Sequence, residues 1–206
     1  MRMDVGTRVS ADLETVRGAR ATIPDAGGLV HLQFRRFAGC PVCNLHLRSV
    51  AARHREIEAA GVREVVVFHS PAEELRVHTE GLPFAVVADP RKRLYREFGV
   101  ESARRALLDP RVWGPILWSV ARDLVPVLLR RRPLPERRQP HGRLGLPADF
   151  LISPDGRILA ASYGVHAYDQ WPVDRILTLA AEANGAAKPE ATTKPGGMAG
   201  GGGSHG

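Results

Sequence analysis

Residues 34–50 read FRRFAGCPVCNLHLRSV and hold both cysteines of the chain, Cys40 and Cys43, with only Pro41 and Val42 between them. The run before the pair, GLVHLQFRRF (28–37), reads as a strand with a mostly apolar interior. The run after it, PVCNLHLRSVAARHREIEAAG (41–61), reads as a helix. Val42, Leu45, Leu47, Val50, Ala51 and Ile57 fall roughly on one side, and Gly61 ends it. Cys40 thus falls at or just before the N-cap of a helix. There the unpaired N–H groups of the first turn and the positive end of the helix dipole favour a thiolate. Pro41 suits the first helical position, because the N–H it lacks would have had no intrahelical partner. Cys43 lies one turn in, within reach of the Cys40 sulfur. The thiolate is the reactive form, and helix N-termini and Cys-x-x-Cys pairs lower a thiol pKa. Cys40 is therefore expected to attack and Cys43 to resolve.

Outward from the pair, strands and helices alternate. REVVVFHS (63–70) is a continuous β-branched run, as in a buried parallel strand. PAEELRVHTEG (71–81) is a helix with Pro in its first turn. PFAVVADP (83–90) is a second buried strand and RKRLYREFG (91–99) a short helix. This alternation predicts an α/β fold with a parallel sheet core. Residues 101–146 break the rhythm. Within them, 110–129 spaces Trp113, Ile116, Leu117, Val120, Leu124 and Leu128 as one helical stripe, interrupted at Pro126. Residues 130–147 form a basic, Pro-rich connection that opens with Arg130–Arg132. Then ADFLIS (148–153), the turn PDG and RILAASYG (157–164) predict a β-hairpin, and 169–185 a closing amphipathic helix. The expected organisation is one domain over 1–184, including a helical insertion at 101–146. A Gly/Ala-rich tail at 185–206 is too poor in apolar residues to order itself.

Composition narrows the function. Two cysteines in 206 residues cannot form a disulfide framework. The N-terminal residues lack the apolar run of a secretory signal, so the cytoplasm is the expected compartment. There a Cys pair is catalytic, redox-sensing or metal-binding. The net charge is +7, and lysine occurs only at 92, 188 and 194, so 26 of the 29 basic residues are arginine. With no helix-turn-helix, zinc finger or aromatic RNA-binding strand, the arginines read as compositional, and no nucleic-acid partner is expected. The 110–129 stretch is too short and too interrupted for a membrane span, which needs ~20 apolar residues.

A zinc site would need further ligands. His46, at ~100° per residue, points away from Cys40, and His31 sits far from the strand's end. A copper-handling variant would need a histidine facing the pair, for which His166 is the loose candidate. No metal and no bound cofactor are expected. His69 and Ser70 close the strand after the Cys helix, at the edge where α/β sheets bind ligands, and His69 could act there as a base. His141 and His166 fall in loops.

FRRFAGCPVC, FAVVADPRKRLYREFGV and LPADFLISPDGRI stand in the order seen in the AhpC/TSA antioxidant proteins. The chain resembles the peroxiredoxin-like branch of that family, within the thioredoxin-like superfamily, over roughly residues 10–183. The resemblance implies a thioredoxin-like fold: a central mixed sheet flanked by helices, with the helical insertion before the last β-hairpin. It implies that Pro147 faces the Cys pair, with a cis Leu146–Pro147 bond, and that Leu146, Pro147 and Pro41 contact the substrate. The 110–129 stripe is expected to border the Cys40 pocket. Gln33 and Phe37 stand where typical peroxiredoxins carry Pro and Thr or Ser, so the hydroxyl that orients a peroxide is missing. Between its cysteines the chain has Pro-Val where thioredoxin has Gly-Pro.

The expected activity is that of a thiol-dependent oxidoreductase. Its substrate would be a peroxide or a protein disulfide, and its electron donor a small thiol or a thioredoxin-type reductant. A homodimer is compatible with the sequence. The other reading is a non-enzymatic binding or redox-sensing module that holds a partner with 101–146.

Overall fold

The computed structural model describes residues 2–100 and 146–186. The 110–129 stripe, Arg130–Arg132, His141 and nearly all of the insertion and tail lie outside the described residues. Five strands form one sheet in the order β5-β4-β3-β6-β7, with β3 (Leu29–Arg35) at its centre, flanked by β4 (Val62–Phe68), β5 (Ala85–Ala88), β6 (Ala148–Ile152) and β7 (Ile158–Tyr163). β4 runs parallel to β3 and to β5, as their β-branched runs and intervening helices predict. β6 runs antiparallel to β3 and β7, so the sheet is mixed. The hairpin register pairs Ala148 with Tyr163 and slips between Leu151 and Ile152.

The long helix after the cysteines is two helices. α1 (Pro41–Ala52) stops at Arg53, whose φ of −111° and ψ of 19° leave the helical basin, and α2 (His54–Ala59) follows. The Arg53 guanidinium bridges Glu56 and Asp174 across to α5 (Val173–Ala186), which anchors this break. Gly61 ends α2 at φ +74°, a conformation glycine adopts without strain. Between β4 and β6 lie α3 (Ala72–His78) and α4 (Arg93–Glu97). The Asp89 carboxylate accepts the N–H groups of Arg93 and Leu94 and so starts α4. A two-stranded ribbon, β1 (Ala11–Glu14) and β2 (Arg20–Ile23), precedes the sheet. The sequence pattern gives no sign of it, because four-residue strands with alternating polar side chains are too short for periodicity to register.

The sheet buries both faces. On one face Val30, Leu32, Phe34, Val65 and Phe150 pack with Tyr95 and Phe98 of the α4 region and with the ribbon. On the other Leu29, Val66, Phe68 and Leu151 pack under α1, α2 and α5 through Leu47, Ile57 and Ile176. Each fully buried large side chain is worth ~1.5–3 kcal/mol.

Candidate functional site

The Cys helix starts where β3 ends. Residues 36–40 turn the chain over the sheet edge, with Gly39 at φ +72°. Neighbouring segments fix this turn from the side. The His69 N–H donates to the Arg36 carbonyl at 3.3 Å, and the Ala38 N–H donates to Ser70 Oγ at 2.9 Å. Beneath it, the Tyr95 hydroxyl meets the carbonyls of Arg35 and Val67, tying the ends of β3 and β4 together. His69 is buried edge-on against the Tyr95 ring, a packing position within the turn's support.

Cys40 is the N-cap of α1 in extended conformation, and Pro41 is the first helical residue, as the sequence predicts. The Cys40 carbonyl accepts the Asn44 N–H at 2.9 Å, closing the first helical bond. Both cysteines are unbridged and buried, Cys40 1% and Cys43 0% exposed. The sequence reading misses Arg36. Its guanidinium is buried over the Phe37 ring, and Nη1 donates to Cys40 Sγ at 3.7 Å. An arginine four residues ahead of the first cysteine, across a tight turn, is the signal that could have found it.

These surroundings polarise the pair. The Cys40 thiol is pulled down to about 6, first by the hydrogen bond from the Cys43 S–H. Burial opposes this shift, and the Arg36 charge and the first-turn N–H groups of Val42 and Cys43 assist it. Those N–H groups point at the sulfur without closing a full capping bond. Cys43 is pushed well above the ordinary thiol range, because its S–H donates a hydrogen bond to the Cys40 sulfur and burial penalises its charged form. The two sulfurs are thus oppositely polarised, Cys40 toward the thiolate and Cys43 toward the thiol.

Leu146 and Pro147 are buried immediately before β6. The register pairs Phe34 with Ala148, so Pro147 lies beside the end of β3, at the edge where the Cys turn begins. The expected cis bond there is not found: the one cis peptide bond among the described residues is Ile23–Pro24. A trans Leu146–Pro147 bond satisfies this position, since the Pro147 carbonyl extends the β6–β7 ladder by accepting the Gly164 N–H at 2.9 Å. Trans is also the form an X–Pro bond favours by ~0.5–1 kcal/mol.

The mostly apolar reading of β3 also needs correction. His31, Gln33 and Arg35 alternate onto the α1 face, fully buried. His31 Nδ1 lies 2.8 Å from Glu64 Oε2 and Nε2 lies 3.1 Å from Asp149 Oδ1. Arg35 Nη2 donates to Asp149 Oδ1 and Gln33 Oε1, both at 2.6 Å. The Gln33 amide donates to Glu64. Desolvation penalises the charge on His31, yet Glu64 and Asp149 outweigh it and raise His31 to about 9. Burial would raise the Asp149 carboxyl, but Arg35 and His31 hold it well below the usual range. His46 turns to this cluster, its Nε2 3.2 Å from Arg35 Nη2. No group of three or more His, Cys, Asp or Glu side chains among the described residues is placed to hold a metal ion. No helix among them is long and apolar enough to cross a membrane.

A central mixed sheet with a Cys pair at the start of the helix after its middle strand defines a thioredoxin-like fold. The chain belongs to the AhpC/TSA antioxidant enzyme family, whose model matches residues 49–166. The match starts at Ser49, just past the Cys pair. Solved structures share the fold. Peroxidoxin BcpB from Mycobacterium tuberculosis is 15% identical, with 88% of this chain and 98% of that one covered and a TM-score of 0.59. AhpC of Enterococcus faecalis is 14% identical over 94% and 100%, at 0.63. A candidate thiol:disulfide interchange protein DsbE from Chlorobium tepidum is 18% identical over 88% and 97%, at 0.54. No curated protein sequence matches.

Proposed function

We propose that the chain is a thiol-dependent oxidoreductase in which Cys40 is the nucleophile and Cys43 the resolving thiol. The observation that carries this reading is the opposite polarisation of the two sulfurs, one pulled down beside Arg36 and the other holding its proton. With a hydroperoxide, the Cys40 thiolate attacks the distal oxygen. The O–O bond breaks, the alkoxide leaves and takes a proton as the alcohol, and Cys40 becomes a sulfenic acid. The Cys43 sulfur then displaces that oxygen as water, giving the Cys40–Cys43 disulfide. Two equivalents of an external thiol, small or thioredoxin-type, reduce the bridge by exchange and leave as their own disulfide. With a disulfide substrate, Cys40 forms a mixed disulfide first, and Cys43 releases the second substrate thiol. The 1% exposure of Cys40 favours a small oxidant over the disulfide of a folded protein. Leu146 and Pro147 would border the substrate from the β6 side, and Pro41 from the helix side. None of these steps requires a bound cofactor.

Serine variants test the assignment. Cys43→Ser should keep a reactive Cys40 that stops at the sulfenic acid or overoxidises with hydroperoxide, and that traps disulfides covalently. Cys40→Ser should consume neither. A reactive Cys43 in the Cys40→Ser protein would reverse the roles.

A further inference from the structure

The buried cluster reaches α1 through the contact of Arg35 with His46. Both ring nitrogens of His31 face carboxylate oxygens, so both carry protons, and His31 is an imidazolium. Arg35 and His31 then balance Glu64 and Asp149, and the cluster is neutral overall. Stability alone does not explain it. Well-packed apolar residues of similar volume often replace buried ion pairs without loss of stability.

What such a cluster does provide is one fixed direction for the Arg35 guanidinium. Its Nη2 is held at 2.6 Å by both Asp149 and Gln33, and Nη1 donates to the Phe34 carbonyl at 3.1 Å. Arginine cannot accept a hydrogen bond, and Nη2 has two protons for Asp149, Gln33 and His46, so a bare His46 Nε2 accepts a longer, shared bond from it. His46 is one turn beyond Cys43. At ~100° per residue the two side chains lie on neighbouring faces of α1, about 60° apart. Ser70, His69 and Arg36 hold the turn that carries Cys40, so a helix free to roll or slide at this end would move the Cys43 sulfur relative to Cys40.

We propose that the Arg35–His46 contact positions the redox helix, with the buried Asp149–His31–Glu64–Gln33 cluster serving to aim Arg35. His46 is a positioning residue: it acts through α1 on the alignment of Cys43 with Cys40. The inference rests on the Cys40–Cys43 reading above.

The test is the equilibrium of the Cys40–Cys43 disulfide with glutathione, which reads the effective concentration of one thiol toward the other, in the full chain. Urea unfolding of the reduced proteins is measured alongside. His46→Leu keeps the bulk and removes the acceptor, and should lower the effective concentration on the order of tenfold, less than the ~10²-fold that a ~1 Å misplacement can cost. His46→Gln places an amide oxygen where Nε2 stands and should restore the wild-type value to within about threefold. His46→Asn carries the acceptor but is one methylene too short, so it should fall with the Leu variant and serves in its place if that variant does not fold. An unchanged effective concentration in His46→Leu and His46→Asn, or an equal fall in His46→Gln, overturns the proposal. If the wild type forms no intramolecular disulfide, the redox reading fails, and this one with it. A wild-type disulfide indifferent to His46 overturns this one alone.

Discussion

Replacing Arg36 by Met removes the cation beside Cys40 and keeps most of the side-chain volume. At the 3.7 Å separation of Nη1 from Sγ, a unit charge pair is worth about 4–5 kcal/mol at an effective dielectric of about 20, and about 1 kcal/mol in water. The fall of the Cys40 thiol from 9.0 to about 6 corresponds to about 4 kcal/mol net. The Cys43 S–H is the largest single contributor, ahead of Arg36, while burial works against both. The Arg36 share is therefore about one to two pKa units, short of the full Coulomb figure. The assay is the rate of Cys40 alkylation by iodoacetamide across pH, in a Cys43→Ser background whose serine hydroxyl can still donate to the sulfur. The midpoint is the readout, because intrinsic nucleophilicity rises with pKa and masks part of any change at a single pH. Arg36→Met should move the midpoint up by about one to two units, and Arg36→Lys by less. A midpoint that stays within about 0.3 unit in a folded Arg36→Met protein would show that the guanidinium does not activate the thiol.

Other outcomes follow from the same contacts. His31 has its folded pKa raised to about 9 from 6.5, so its stabilisation is complete below pH 6.5 and is lost as pH rises through 9, a change of about 3 kcal/mol. Cys40, lowered from 9.0 to about 6, shifts stability the opposite way over the same window. The fall should therefore be nearly cancelled in the wild type and appear in urea titrations of the Cys40→Ser/Cys43→Ser protein, and a flat profile there would contradict the His31 assignment. Asp149→Asn leaves Arg35 and His31 facing one carboxylate in a fully buried site, and should cost about 3–5 kcal/mol by chemical denaturation. Gly164→Ala puts a Cβ 2.7 Å from Pro147 Cγ and 2.8 Å from the Asp169 carbonyl oxygen, and should cost about 1–3 kcal/mol by thermal melting.

The strand–turn–helix around Cys40 is legible because its signals are local: a β-rich run, a glycine, a proline at the first helical position. β4 and the final hairpin are legible for the same reason. The ionic cluster is not. His31 meets Glu64 and Asp149, which lie 33 and 118 residues away, and only the β3–β4 and β3–β6 registers bring them together. Read along the chain, three polar residues alternating in a strand mark a solvated face. Here they are buried, because each finds its charge or hydrogen-bond partner on an adjacent strand. The break at Arg53 is hidden similarly, since Asp174, which holds it, lies 121 residues on. The cis expectation at Pro147 rests on family resemblance and equally on the ladder donor that a proline lacks ahead of a buried strand, and the backbone meets that position in trans. Arg36 was within reach of the sequence, but among so many arginines nothing marks one as buried.

Mixing the reduced protein with one equivalent of hydroperoxide, and mapping its thiols by mass spectrometry, tests most directly whether Cys40 and Cys43 form one redox couple. Both thiols should disappear together, faster than those of a free cysteine peptide, with a single Cys40–Cys43 bridge within the chain and its return to two thiols on adding a small dithiol. Thiols that survive at the rate of a free peptide, or a bridge that forms only between chains, would contradict it.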